Sequence, residues 1–382
     1  MTWLGIHGVD ELALQFARAN RRQRLGGSFL FFGPAGVGKR TFAFALAKTL
    51  LCRRHFQKSD SEPRERSEGV EADAPFDPVA ELEWFQPCGE CDSCKQFEWR
   101  ADLPKTIPTH PDFHYVCKPD DKSLLPLELL VGDKESRMRS GLCFELNQTA
   151  FMGGRKIAII DDADYFNLEG ANALLKTLEE PPPNSLIVLI GTSAAKQLPT
   201  VRSRCQLFRF NALTNDALAS ILLSQGKVDS PEEADAIARN SEGSLEEAEK
   251  ALDANFSEFQ NALFTELARN PIAGVDFAVQ LCEFVDAAGK EAVLRRRRLQ
   301  NIFRASITFF RETFLALESP SDVRSSKYAS YVKKIVENGR FTPEEALECV
   351  DLTLDAMEKV DRNVNLPYVV EAWAYSLSAI SR

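Results

Sequence analysis

The rhythm of apolar and polar positions changes several times along the 382 residues. From Trp3 to Leu25 apolar residues recur at helical spacing (Leu12, Leu14, Phe16, Ala17), and the segment closes in a basic cluster at Arg21, Arg22 and Arg24. Gly26-Gly27 break it. Phe29-Leu30-Phe31-Phe32 then predicts a short buried strand bounded by glycines, and Lys39 to Leu51 a mostly apolar helix. Beyond Asp112 strands and helices alternate again. Ile157 to Ile160, Leu186 to Ile190 and Gln206 to Phe210 predict strands; Leu168 to Glu180 predicts a helix stopped by Pro181-Pro182-Pro183, which cannot continue one. Continuous apolar strands alternating with helices imply an α/β fold with a parallel sheet covered on both faces.

After Phe210 strand-like runs disappear. Thr214 to Ser224, Pro231 to Asn240 and Leu245 to Ala254 predict short helices, with Ser230-Pro231-Glu232-Glu233 a strong helix start. From Ser257 to Arg382 the pattern is helical throughout. Boundaries are placed near 210 and 255, so the expected domains are 1–210, 211–255 and 256–382. One stretch fits none of this: about 53–80 is rich in Glu, Asp, Arg, Ser and Pro and poor in aliphatics. It is read as a solvated insert with no assigned structure.

Composition narrows the function. The net charge of −10 argues against holding nucleic acid over the whole surface, though a local basic patch is compatible with it. No uncharged apolar run approaches the roughly 18 residues of a membrane span, and the first residues lack a basic n-region before an apolar core. The expectation is a cytoplasmic protein with no membrane partner. Nine cysteines in such a protein suggest metal ligands and buried thiols rather than disulfides.

Gly33-Pro34-Ala35-Gly36-Val37-Gly38-Lys39 fits G-x-x-x-x-G-K between the first strand and the next helix. The glycines let backbone N–H groups turn around phosphate oxygens, the helix start adds its positive end, and Lys39 reaches the outer phosphates. ATP with Mg²⁺ is the ligand such a loop suggests. The next position departs from the pattern. A working P-loop NTPase places Ser or Thr there to ligate Mg²⁺, whereas this chain has Arg40, with Thr41 one residue later and about 100° further round the helix. A guanidinium is no metal ligand. The strand 157–160 ends in Asp161-Asp162-Ala163-Asp164. Asp161 is a candidate for the magnesium shell, and the plainer reading is that these acids cap the following helix. Asp162 stands where hydrolysing relatives usually carry Glu, and one methylene of misplacement can cost roughly 10²-fold in rate.

Cys88-x-x-Cys91-x-x-Cys94 puts three thiolates within seven residues, and Cys52 is a plausible fourth ligand for a structural Zn²⁺. His55 and His110 compete for that place. A redox role for the C-x-x-C pairs is the alternative. Cys117, Cys143, Cys205, Cys282 and Cys349 are isolated and read as buried thiols.

Three further stretches carry a resemblance: Asn172 to Pro182 (NALLKTLEEPP), Gln197 to Cys205 with its Ser203-Arg204-Cys205 triplet, and Asp361 to Pro367. With these the chain resembles clamp-loader subunits of the AAA+ class that serve bacterial DNA polymerase III. The resemblance covers nearly the whole chain apart from the insert and part of 118–140. It implies an AAA+ domain with a zinc module, a small helical lid and a helical collar domain. Within the family the chain is more similar to the delta-prime type than to the tau or gamma motor. Motors keep Ser or Thr after the P-loop lysine, Glu after the strand aspartate, and Arg in the lid motif Gly-Ser-x-Arg; here the residues are Arg40, Asp162 and Glu246. By the same resemblance Arg204 matches the arginine finger given to a neighbour's ATP site, with Arg202 an alternative donor, and Thr192 and Ser193 match the sensor beside the γ-phosphate. The implied partners are motor (tau/gamma) and delta subunits, the sliding clamp and primed DNA. Two alternatives stay open: an ATP-hydrolysing motor, and a zinc-dependent DNA-binding module. Glu90, Asp92 and Glu98 near the cysteines speak against the second.

Overall fold

The computed structural model describes residues 2–55, 77–99, 107–119, 122, 124–137, 139–152, 154–252, 254–269, 271–289, 291–318 and 328–380. The chain divides into two compact units, Met1–Glu247 and Ala248–Arg382.

In the first unit α1 (Asp10–Arg21) leads into β1 (Gly27–Phe32) and α2 (Lys39–Leu51). α3 (Pro78–Trp84), α4 (Asp92–Gln96), β2 (Phe113–Val116), α5 (Leu127–Val131) and α6 (Leu142–Asn147) follow. Then come β3 (Lys156–Ile160), α7 (Leu168–Glu179), β4 (Ser185–Gly191), α8 (Pro199–Arg202), β5 (Gln206–Arg209), α9 (Asn215–Ser224) and α10 (Pro231–Asn240). The five strands form one parallel sheet in the order β2-β3-β4-β1-β5. The central strands β3, β4 and β1 are buried on both sides, as their continuous apolar runs predict, whereas the edge strand β5 buries only Phe208. Phe29 and Phe31 of β1 join one core with Phe16, Phe42, Phe208 and Phe210, while Leu30 joins the other with Ile160, Leu174 and Leu189. Alternation along a single strand thus feeds two cores.

The structure departs from the sequence reading in three places. The helical stretch expected from Trp3 to Leu25 is a helix only over Asp10–Arg21, because Gly5 and Gly8 take positive φ and Trp3 bridges Ile6. β2 went unread: four residues that include His114 and Tyr115 show neither a long apolar run nor clean alternation. The insert is not wholly without structure. Arg53–His55 forms a 3₁₀ turn, and Asp77, whose carboxylate accepts from the Val79 N–H, caps α3. The rest of the insert, 56–76, lies outside the described residues.

α11 (Leu245–Leu252) crosses the division between the units. The second unit continues as helices: α12 (Ala254–Leu267), α13 (Gly274–Asp286), α14 (Ala292–Glu318), α15 (Ala329–Glu337), α16 (Pro343–Asp361) and α17 (Leu366–Ile380). Its own core gathers Phe264, Phe303, Phe309, Phe310 and Trp373. Thr342 and Glu345 form a reciprocal capping box that opens α16.

Trp3 ties the chain's start to the cysteine region. It is buried, stacks on Phe85 at 5.7 Å, and donates its indole N–H to the Phe85 carbonyl at 2.7 Å. Trp3→Ala is expected to cost about 3–5 kcal/mol, since it opens a cavity and orphans that carbonyl. Urea melts check this, and a loss under about 1 kcal/mol would show that the segment is not part of the cooperative core.

Candidate nucleotide site and cysteine cluster

Parallel strands bring the loops after β1, β3 and β4 to one edge of the sheet, the usual ligand edge of such folds. The P-loop runs from Gly33 to Gly38, and α2 begins at Lys39. Two glycines are required by contact. A Cβ on Gly33 would lie 2.2 Å from the Phe210 carbonyl oxygen, and one on Gly36 2.5 Å from Ser244 Oγ and 2.6 Å from the Glu246 nitrogen. The segment 244–246 therefore lies directly on the loop, and the Leu245 N–H donates to the Gly36 carbonyl at 3.0 Å.

Lys39 is buried, and its ammonium donates to the carbonyls of Gly33 (2.7 Å) and Pro34 (2.5 Å). Burial lowers its pKa, opposed by Asp161, Asp164 and Glu246. Arg40 takes a different part. Its Nε sits 3.4 Å from Asp161 Oδ2, and its Nη1 is 3.3 Å from the Tyr115 hydroxyl, which itself donates to Asp161 Oδ2 at 3.0 Å. The other carboxylate oxygen accepts from the Asp162 N–H at 2.9 Å. Both oxygens of Asp161 are thus engaged within the chain, and a cation already stands against the acid that would serve a metal. Thr41 lies one residue further along α2, half-buried.

Asp162 adopts a left-handed backbone, φ 57°. Burial, with Asp161 beside it, pushes its carboxyl up to about 6. Thr192 does not stand free either. Its N–H and hydroxyl both donate to Asp164 Oδ2, at 2.7 and 2.5 Å, while Gln197 Nε2 donates to Oδ1 at 2.7 Å. Ser193 Oγ accepts from the Ala195 N–H. Arg204 is half-buried just before β5. Its Nε pairs with Glu179 Oε2 at 2.9 Å and its Nη1 donates to the Thr200 carbonyl at 3.1 Å. Arg202 is exposed.

The structure brings Cys52, Cys88, Cys91 and Cys94 together, with all four sulfurs within 4.8 Å of one another. Two Sγ–Sγ separations are 3.9 Å, Cys88 to Cys94 and Cys91 to Cys52. Zinc–thiolate bonds of about 2.3 Å in a tetrahedron need edges of about 3.8 Å. The knuckle is organised by backbone donors: the Cys88 N–H points to Cys52 Sγ and the Cys91 N–H to Cys88 Sγ. The Cys91 N–H lowers the Cys88 pKa to about 6, whereas burial raises those of Cys52 and Cys94. Both histidines are engaged elsewhere. His55 Nε2 meets the Gln86 carbonyl, and His110 lies between Ser93 Oγ and the Asp112 N–H.

Sequence reasoning missed Tyr115, Gln197 and Glu179. Only Asp164 had a signal, as the last acid of the run after β3. The others join the site from 25 to 75 residues away from their partners, a distance no local pattern spans.

The family described as "DNA polymerase III, delta subunit" matches residues 79–214. The delta-prime subunit of Pseudomonas aeruginosa DNA polymerase III is 32% identical over 178 residues, 47% of this chain and 41% of that one. The Bacillus subtilis delta-prime subunit is 30% identical over 204 residues, 53% and 48% of the two chains. These matches support a delta-prime-like clamp-loader subunit. Tau subunits are also similar: that of Escherichia coli is 25% identical over 299 residues, 77% of this chain and 39% of that one. The aligned parts span less than half the length of each of these relatives. Among solved structures, a gamma-subunit-related protein from Thermotoga maritima aligns over 98% of this chain and 99% of its own, at 17% identity and TM-score 0.40. No helix among the described residues is long and apolar enough to cross a membrane.

The Asp162 environment yields a pH test. Its folded pKa is raised from the ordinary aspartate value near 3.9, so folding favours the protonated form. That contribution is complete below about pH 4 and is lost as the pH rises through 6. Asp162→Asn, compatible with the left-handed backbone, should stabilise the chain by about 1–2 kcal/mol above pH 7, allowing for partial solvent screening. The gain should vanish below about pH 4. Denaturant melts across that range check it; an increment independent of pH would trace the effect to the backbone rather than to the charge.

Proposed function

We propose that this chain is a non-hydrolysing, stator-like subunit of a DNA polymerase III clamp loader. It holds its neighbours in register and presents Arg204 to the ATP site of an adjacent motor subunit. Motor and delta subunits, the sliding clamp and primed DNA are the partners of such an assembly. The observation that carries this reading is the Arg40–Asp161–Tyr115 group. A hydrolysing site needs a hydroxyl and a carboxylate around Mg²⁺, and here a guanidinium pairs with that carboxylate instead. Two other differences from motor subunits support it. Asp162 replaces the longer acid, and Glu246, where a motor has Arg, adds negative charge beside Lys39.

Arg204 fits the outward role. Its guanidinium is held by Glu179 and the Thr200 carbonyl at the end of α8, so it is oriented before any neighbour arrives. A finger supplied in trans stabilises charge on the transferring phosphoryl group, worth about 10³–10⁵ in rate where it has been measured on GTPases. In this reading the residues around 211–255 act as a lid, of which 244–246 lie on the P-loop, and 256–382 as a collar.

In a reconstituted loader with primed DNA and clamp, Arg204→Ala should lower ATP turnover at least about tenfold while gel filtration shows assembly retained. Arg204→Lys should remain impaired, because an ammonium lacks the planar fork. Magnesium-dependent turnover by the chain alone, or unchanged turnover by the Arg204→Ala assembly, would return the motor reading to first place.

The four thiolates, in the same proposal, hold a structural zinc ion with no open coordination position. The purified chain should carry about one zinc by mass spectrometry of the metal, and Cys52→Ser or Cys91→Ser should lose most of it and speed proteolysis around 77–99. Full zinc retention by Cys52→Ser would place the fourth ligand elsewhere.

A further inference from the structure

Twenty consecutive residues of α14, 292–311, contain six arginines and not one Asp or Glu, in a chain whose net charge is −10. Some of these arginines serve the fold. Arg295 pairs with Asp286 at 3.1 Å and donates to the Gly289 carbonyl, and Arg298 donates to the Phe284 carbonyl and lies over its ring. Arg297 and Arg304 do not. Both are exposed, and neither side chain makes a hydrogen bond or ion pair among the described residues; only the Arg304 backbone carbonyl accepts, from the Thr308 hydroxyl. Arg311, its side chain 59% exposed, pairs with the adjacent Glu312 at 3.3 Å and with no other carboxylate among the described residues.

These three stand at spacings of seven residues, two helical turns. They form a row on one side of the helix at intervals of about 10.5 Å, with Asn301 between the first two. On the flank of the row, Gln300 donates to Asp361 Oδ1, which brings one carboxylate near it from α16. Exposed apolar residues on α14 do not make an insertion face. Leu294 and Leu315 stand at the two ends of the row, about 30 Å apart.

We propose that this row is a docking surface for the sugar–phosphate backbone of nucleic acid. Arginine offers planar, always-charged donors that match phosphate oxygens in pairs. An even row of one charge sign fits a partner whose charge repeats evenly, which a phosphodiester backbone does and an acidic protein surface generally does not. The row has no aromatic side chain on which bases could stack, so the contact is made to the backbone and is independent of sequence. The inference stands apart from Arg204, and the two tests fail separately.

The test is fluorescence anisotropy of the full chain with labelled single-stranded and duplex 30-mers over a salt series. The intact chain should bind measurably at low salt. Arg297→Ala/Arg304→Ala, with unchanged circular dichroism, should bind about tenfold more weakly and lower the slope of log K against log salt by about 1.4–1.8, the share of two phosphate contacts. Arg297→Lys/Arg304→Lys should keep most of the affinity and the slope. The relative response of single strand and duplex identifies which form is held. Failure of the intact chain to bind either oligonucleotide, or unchanged affinity and slope in the alanine variant, would overturn the proposal. So would an alanine variant that keeps its DNA affinity but separates from motor subunits on gel filtration; that result would assign the row to a protein partner.

Discussion

Parallel pairing of β1 with β4, and of β4 with β3, is the constraint on which the first unit depends. It forces every strand to end at the same edge, so the loops after Phe32, Ile160 and Gly191 meet there although up to about 160 residues separate them. The pairing is affordable only because both faces of the sheet are covered. Phenylalanines from α1, α2 and β5 close one face, and α5, α6, α7 and α8 close the other. Everything chemical in the unit, from Lys39 to Thr192, is placed by that arrangement.

Charge balance within this edge is internal. Lys39 turns to its own loop carbonyls, Arg40 and Tyr115 engage Asp161, and Thr192 and Gln197 engage Asp164. Burying unpaired charge is expensive, and these pairings keep the edge stable without requiring a ligand. Asp162 stays strained electrostatically, by burial and by its neighbour Asp161. Such an edge is suited to staying in one state, in keeping with the stator-like role proposed above.

The cysteine module is attached to this framework at two points. Cys52 caps the end of α2, so the helix that starts at the P-loop ends at the thiolate cluster. On the other side Trp3 stacks on Phe85 and hydrogen-bonds its carbonyl, three residues before Cys88. Chain start, P-loop helix and the residues flanking the cysteine knuckle, Phe85, Phe97 and Trp99, therefore share one core.

Much of this was legible in the sequence because it is written in local patterns. The limits of α2 and α10, the stop of α7 at a proline run and the C-x-x-C-x-x-C knuckle each depend on residues within a turn or two of one another. Arg40 after the P-loop lysine was visible as a loss, a missing hydroxyl. Its pairing with Asp161 through Tyr115 was not, because the three residues lie on α2, after β3 and on β2, and only the sheet order brings those elements together. Cys52 joining the other three cysteines, Glu179 holding Arg204, and the separation of Arg295 and Arg298, which serve the fold, from Arg297 and Arg304, whose side chains do not, were likewise decided by packing. Spacing along the chain determines which face of an element a side chain occupies; what it meets there depends on long-range pairing, which local periodicity does not encode.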